Sequence, residues 1–184
     1  FPTKGTRANV FVQQAGGFFG GDNDFTKTGG NVAAFYSLPL GVVVAVKGRI
    51  GYIKGHDTDK PFPYEVPIFE RYVLGGLTTI RGLQYLGIRN SGDSDVLGGT
   101  IMLVANLELI FPLIKSAGMK GVVFYDTGNT WDGGYHLDDL RKTVGVGIRW
   151  YSPIGPLRLE YGHVLDRKDG ESSGRFEFSI GMMM

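Results

Sequence analysis

Cysteine is absent from the 184 residues, so neither a disulfide framework nor a thiolate metal site can form. Charge of one sign is not in excess either. The 19 basic and 18 acidic residues leave a net charge of +1, with no basic stripe to attract nucleic acid. No apolar run approaches the roughly eighteen residues needed for a membrane helix. The chain opens on Phe1 without a basic-then-apolar leader, and residue 1 is read as a processing or expression boundary with sequence upstream of it. Histidine is scarce: His56, His136 and His163 fall in or near different loops, without zinc-type spacing.

The scarcity extends to catalytic patterns. Asp22, Asn23 and Asp24 follow two glycines but lack the later glycine and glutamate of a calcium loop, and Asp93-Ser94-Asp95 is no better. Both read as turns. The Gly-Gly pairs are not followed by helical patterns, so no nucleotide-binding loop is present. No Ser or Thr has a convincing His partner. These features argue against an enzyme, and nothing calls for a cofactor or a metal.

What is plentiful is glycine, at 30 residues, and aromatics, at 12%. Without a collagen-like repeat, that mixture suits an all-β chain with many turns. Period-two alternation recurs along nearly the whole sequence and predicts eight strands. They are Thr6–Gln14, Thr26–Leu38, Val42–Lys54, Gly99–Phe111, Met119–Trp131, Lys142–Ser152, Pro156–Val164 and Arg175–Met184. Many reach the length of about nine to eleven residues of a tilted membrane-spanning strand, against about five or six in typical globular strands.

Each strand has two unlike faces. Leu103, Leu107 and Leu109 oppose Asn106 and Glu108, Val146 and Ile148 oppose Arg149, and Leu159 opposes Arg158 and Glu160. Lys47, Arg49 and Asp126 also lie on polar faces. Alternation alone leaves open which face points inward, because a soluble barrel would place its apolar side inside. Strand length, aromatics near strand ends (Tyr52, Trp131, Trp150, Tyr151), and the alternation of short turns (Pro39–Gly41, Ser152–Pro156) with longer loops favour a transmembrane barrel, apolar side out.

One span does not fit the strand pattern. Residues His56 to Leu97 show no clear alternation, although connections are usually a few residues long. Inside it, LGGLTTIRGLQY (Leu74 to Tyr85) carries a single charge, Arg81, on a tight glycine turn. Here the sequence resembles the C-terminal barrel of the BamA-type outer-membrane assembly factors. Tyr72-Val73-Leu74-Gly75-Gly76 followed by Ile80-Arg81-Gly82-Leu83 is similar to that family's Gly-Gly and Val-Arg-Gly-aromatic loop, with Leu83 standing where an aromatic is usual. Phe124-Tyr125-Asp126-Thr127-Gly128 is a full match to its Phe-x-Asp-x-Gly strand motif. Leu97-Gly98-Gly99 leads into Asn106-Leu107-Glu108-Leu109-Ile110-Phe111-Pro112, and the likeness continues through Ser152-Pro153-Ile154-Gly155-Pro156-Leu157 to Phe178-Ser179-Ile180-Gly181. The chain finishes Met182-Met183-Met184 where outer-membrane proteins usually end on an aromatic residue.

The resemblance implies an insertase of the bacterial outer membrane that folds and inserts unfolded outer-membrane β-barrel polypeptides by strand templating. Its partners would be those polypeptides, membrane lipid and accessory assembly subunits. It also implies that the long loop folds back into the lumen, where Arg81 and Gly82 would meet Glu108, Phe124, Asp126 and Gly128, with Gly75, Gly76, Ile80 and Leu83 shaping the loop. The last strand (Phe176, Phe178, Ile180, Gly181, Met184) would form one side of a lateral seam. Parity supports the contact independently, since Glu108 and Asp126 lie on the polar faces of sequential strands. Other readings are a complete eight-stranded membrane barrel serving as scaffold or adhesin, a related polypeptide-translocating barrel, and a soluble ligand-binding barrel.

Size makes a further demand. An eight-stranded barrel has room inside only for side chains, so the span His56–Leu97 cannot fold within one. The wall is therefore expected to be the C-terminal half of about sixteen strands, with N-terminal strands and periplasmic repeats elsewhere. Alone, it should pair with a second copy or close with the loop displaced outward.

Overall fold

The β-branched and aromatic alternation builds eight strands in a computed structural model, which describes residues 2–57, 59, 65–84, 98–153 and 155–181. They are β1 (Gly5–Ala15), β2 (Phe25–Ser37), β3 (Val43–Gly55), β4 (Ile101–Ile114), β5 (Met119–Trp131), β6 (Arg141–Ser152), β7 (Gly155–Val164) and β8 (Gly174–Ile180). Each pairs antiparallel with its sequence neighbours, giving one meandering sheet in the order β1 to β8. Among the described residues β1 pairs with β2 and β8 with β7, leaving both outer edges open. The wall is a sheet, not a closed barrel.

β5 has the bounds expected from sequence, whereas β4 is displaced. Gly99 lies outside β4, in an isolated bridge with Tyr72, so the loop claims the residues where that strand was expected to begin. At its other end β4 runs on past Phe111, with a register shift between Pro112 and Ile114, where a proline lacking an N–H can be accommodated. β8 is shorter than expected. Gly181 follows it with φ +81° and donates its N–H to the Pro156 carbonyl at 2.8 Å, one position beyond the Leu157–Ile180 pair. Leu97, Ile154, Tyr85, the Asp93–Asp95 turn and Met182 to Met184 lie outside the described residues.

Register aligns the polar faces across the sheet. Lys47, Asn106, Asp126 and Thr143 form one row, and Ala45, Glu108, Phe124, Gly145 and Gly162 the next. Along a third row Gly147, Glu160 and Glu177 face one another. Asn106, Asp126, Thr143, Glu108, Phe124 and Glu160 are buried, Asp126 completely, on the face that carries the described part of the long loop, residues 65–84, while Lys47 and Glu177 are half-buried. The opposite face carries Val46, Leu107, Val123, Val146 and Phe178, all exposed by 45% or more. The ambiguity of faces is thus resolved: charges lie inside and apolar side chains outside, the reverse of a soluble barrel.

Of the two outcomes expected for the chain alone, closure with the loop pushed outward does not occur among the described residues. The sheet stays open and the loop remains on its inner face, anchored by the ion pairs described below. In a bilayer, the outer face should reject charge. Leu107→Arg, at the middle of β4, is expected to cost about 2–4 kcal/mol of folded stability if it lies near the midplane. Urea titration of the protein folded into lipid vesicles measures this, and wild-type stability for Leu107→Arg would contradict the assignment of the outer face.

Candidate functional site

The loop is fastened at its entrance before it reaches the wall. Tyr72 exchanges two backbone hydrogen bonds with Gly99, both 2.8 Å, and Arg71 donates to the Gly98 carbonyl and pairs with Asp132. Lys27 sits over the Tyr72 ring and bridges to Glu70 at 3.1 Å. From there Gly75 and Gly76 take positive φ angles of 119° and 85°, which glycine adopts without steric cost. The Gly76 N–H closes the turn onto the Leu83 carbonyl at 2.9 Å, while the Thr79 hydroxyl pins Gly75.

Inside that turn Leu74, Ile80 and Leu83 pack with Val104 of β4 and Val164 of β7 as an apolar plug. Leu83 is only 3% exposed, so at this position an aliphatic side chain does packing work instead of stacking. Ile80 and Gly82 flank Arg81 on the plug, and the guanidinium emerges toward the wall.

Arg81 is saturated with acceptors. Its Nε and Nη2 grip the two oxygens of Asp126 at 2.7 and 2.6 Å, and its backbone N–H adds a third bond to the same carboxylate at 3.0 Å. Nη1 reaches Glu108 at 2.8 Å and Glu160 at 2.9 Å. Bidentate geometry of this kind suits a planar guanidinium and not an ammonium. Burial disfavours the Arg81 charge, but the hydrogen bonds and charge of Asp126, with Glu108 and Glu160 behind them, raise its pKa above the ordinary arginine value.

The flat face of the group is also occupied, since the Arg81 Cζ lies 3.6 Å from the Phe124 ring centroid, a cation–π stack. Gly145 makes that stack possible: a Cβ there would fall 2.2 Å from Phe124 Cζ. At the tip, Gly82 has φ +91° and rests on Gly162 of β7, where a Cβ on either residue would lie within 2.7 Å of the other's backbone.

Arg81, Gly82, Glu108, Phe124 and Asp126 therefore meet, as expected from the motif. Gly128, buried two residues beyond Asp126, lies against β4, where a Cβ would sit 2.4 Å from the Leu103 carbonyl. Phe176, Phe178 and Ile180, expected on the seam strand, point outward on the apolar face of β8.

Sequence reasoning left out half of the network. Arg149 clamps Glu108 with both Nη atoms (3.1 and 2.8 Å) and Glu160 with Nε (2.6 Å), Arg158 binds Glu160 at 2.9 Å, and Lys47 reaches Glu108 at 3.3 Å. Asn106 joins the loop to the wall by donating to the Thr79 carbonyl and to Asp126, each at 2.8 Å. All share the polar parity of Glu108, which was the available signal. No group of three or more potential metal ligands occurs among the described residues, and the arrangement is a set of paired opposite charges.

Comparison with known proteins decides the family. The whole chain, residues 1–184, matches the Omp85 superfamily domain. The chain belongs to the Omp85 superfamily. It is 38% identical to the outer membrane protein assembly factor BamA of Nitratidesulfovibrio vulgaris, over 98% of this chain and 23% of that protein. It is 32% identical to the chloroplastic outer envelope protein 80 of Arabidopsis thaliana, over 70% of this chain and 16% of that one. The crystal structure of BamA from Haemophilus ducreyi lacking POTRA domains 1-3 superposes with a TM-score of 0.80 at 26% identity, covering 97% of this chain and 38% of that chain. This Omp85 domain thus spans a quarter or less of the length of these curated relatives.

Breaking one side of the Arg81 cluster should be costly. Arg81→Ala leaves Asp126 buried without its partner, a loss of about 3–5 kcal/mol, less if water enters. Arg81→Lys should recover only part of this, because it loses the planar fork. A double-mutant cycle of Arg81→Ala with Asp126→Asn, read by chemical denaturation, should show clear coupling. Additive effects would mean that the contact carries no energy.

Proposed function

We propose that this domain is the C-terminal half of the barrel of an outer-membrane assembly factor, one that folds and inserts β-barrel proteins without covalent chemistry. The observation that carries the reading is an apolar-out sheet with a loop locked to its inner face, in a chain 38% identical to a named assembly factor. An open edge presents a row of unpaired N–H and C=O groups, which can template an incoming strand. β8 supplies one such edge, and its outward Phe176, Phe178 and Ile180 would face lipid beside the incoming strand.

The remaining strands of the wall, periplasmic repeats and accessory subunits belong to the longer protein of which this is a part. Unfolded barrel polypeptides would be the substrate and the bacterial outer membrane the location. Shape complementarity and main-chain hydrogen bonding suffice for that task, so no nucleophile or cofactor is required. The charge network is then a structural clamp that keeps the long loop from blocking the lumen at random.

The test uses the full-length protein in lipid vesicles with an unfolded outer-membrane protein as substrate. A cysteine pair that locks β8 to the first strand of the complete barrel is expected to abolish most insertion, and reduction should restore it. Insertion at the wild-type rate despite complete cross-linking would rule out templating at this edge.

A further inference from the structure

Among the described residues β8 is paired on one side, by its ladder with β7. In that ladder Glu177 stands directly opposite Glu160. Like charges facing each other across two strands weaken their pairing. The compensating charge comes in part from Arg158 on β7 itself and in part from outside the ladder, because Arg149 of β6 and Arg81 of the loop also donate to Glu160. Arg81 lies 79 residues away in sequence, so its share of the compensation exists only while the loop tip is seated.

The tip also touches β8 directly. The Gly82 N–H donates to Glu177 Oε1 at 3.1 Å, and Glu177 Oε2 is buried with no hydrogen-bond partner among the described residues. Because Gly82 rests on Gly162 of β7 as well, the tip spans the last two strands at the point where the like charges meet.

We propose that Glu177 is a positioning residue that couples seating of the loop tip to attachment of β8. Its bearing on function rests on the reading of β8 as a templating edge. A seated tip holds β8 against β7, and a β8 that peels away removes an acceptor from the tip. Such coupling is reciprocal by thermodynamic necessity.

Amide hydrogen exchange of the full-length protein in phospholipid nanodiscs tests this, since exchange reports local opening. In Glu177→Ala the Gly82 amide should exchange about tenfold faster, the effect of losing one hydrogen bond to a charged acceptor. Glu177→Gln keeps an acceptor and should preserve most of the protection. Arg81→Ala should speed exchange of the paired β8 amides while sparing those of β1 and β2, and adding Glu177→Gln should suppress that acceleration by removing the like charge. If Arg81→Ala does not fold, Arg81→Lys should give a smaller change of the same sign. Unchanged Gly82 exchange in Glu177→Ala, or a β8 insensitive to the Arg81 variants, overturns the proposal. The measurement needs no substrate, so it decides the coupling independently of the insertion experiment.

Discussion

A buried charge must be matched, and the inner face of this sheet is organised around that constraint. Asp126, Glu108 and Glu160 are nearly inaccessible to water, and isolated carboxylates in such positions would be driven to neutralise. Arg81 answers all three with one planar group, while Arg149 and Arg158 satisfy the lone pairs that remain. The loop is consequently not an appendage laid over a finished wall. Its arginine completes the electrostatics of the wall, and the wall's carboxylates fix the loop.

Buried ion pairs are poor sources of net stability compared with well-packed apolar groups, because desolvation offsets much of the attraction. Their value here is directional. The apolar plug of Leu74, Ile80 and Leu83 would tolerate small slides against Val104 and Val164, as hydrophobic contact has no preferred angle. A fork gripping Asp126, stacked on Phe124 and touching two further carboxylates has one geometry. Burial supplies the adhesion and the ionic cluster supplies the position.

Glycine determines how closely these parts approach. Gly145 leaves room for the Phe124 ring and Gly162 lets the tip backbone lie on the sheet, since any side chain there would occupy the same space. The cost is a wall with fewer inward side chains of its own, and the loop fills that space. The same sheet turns its aliphatic and aromatic residues outward, where water would penalise so large an apolar surface and lipid would not.

The sequence by itself determined the strands, their number and the turn positions, because a period of two and clustered glycines are local properties. Parity alone marked Glu108 and Asp126 as sharing a face, and the motif around Arg81 named its partners in advance. Three things were decided only by tertiary structure. Which face is inner was favoured by strand length and strand-end aromatics but settled by where the loop lies, as alternation is symmetric between the two sides. Inclusion of Glu160, Arg149 and Glu177 depended on register between strands far apart in the sheet, which fixes distances that spacing along the chain cannot. The boundary of β4 depended on Tyr72 capturing Gly99, a long-range hydrogen-bonded pair that competes with local strand propensity and wins because it anchors the buried loop.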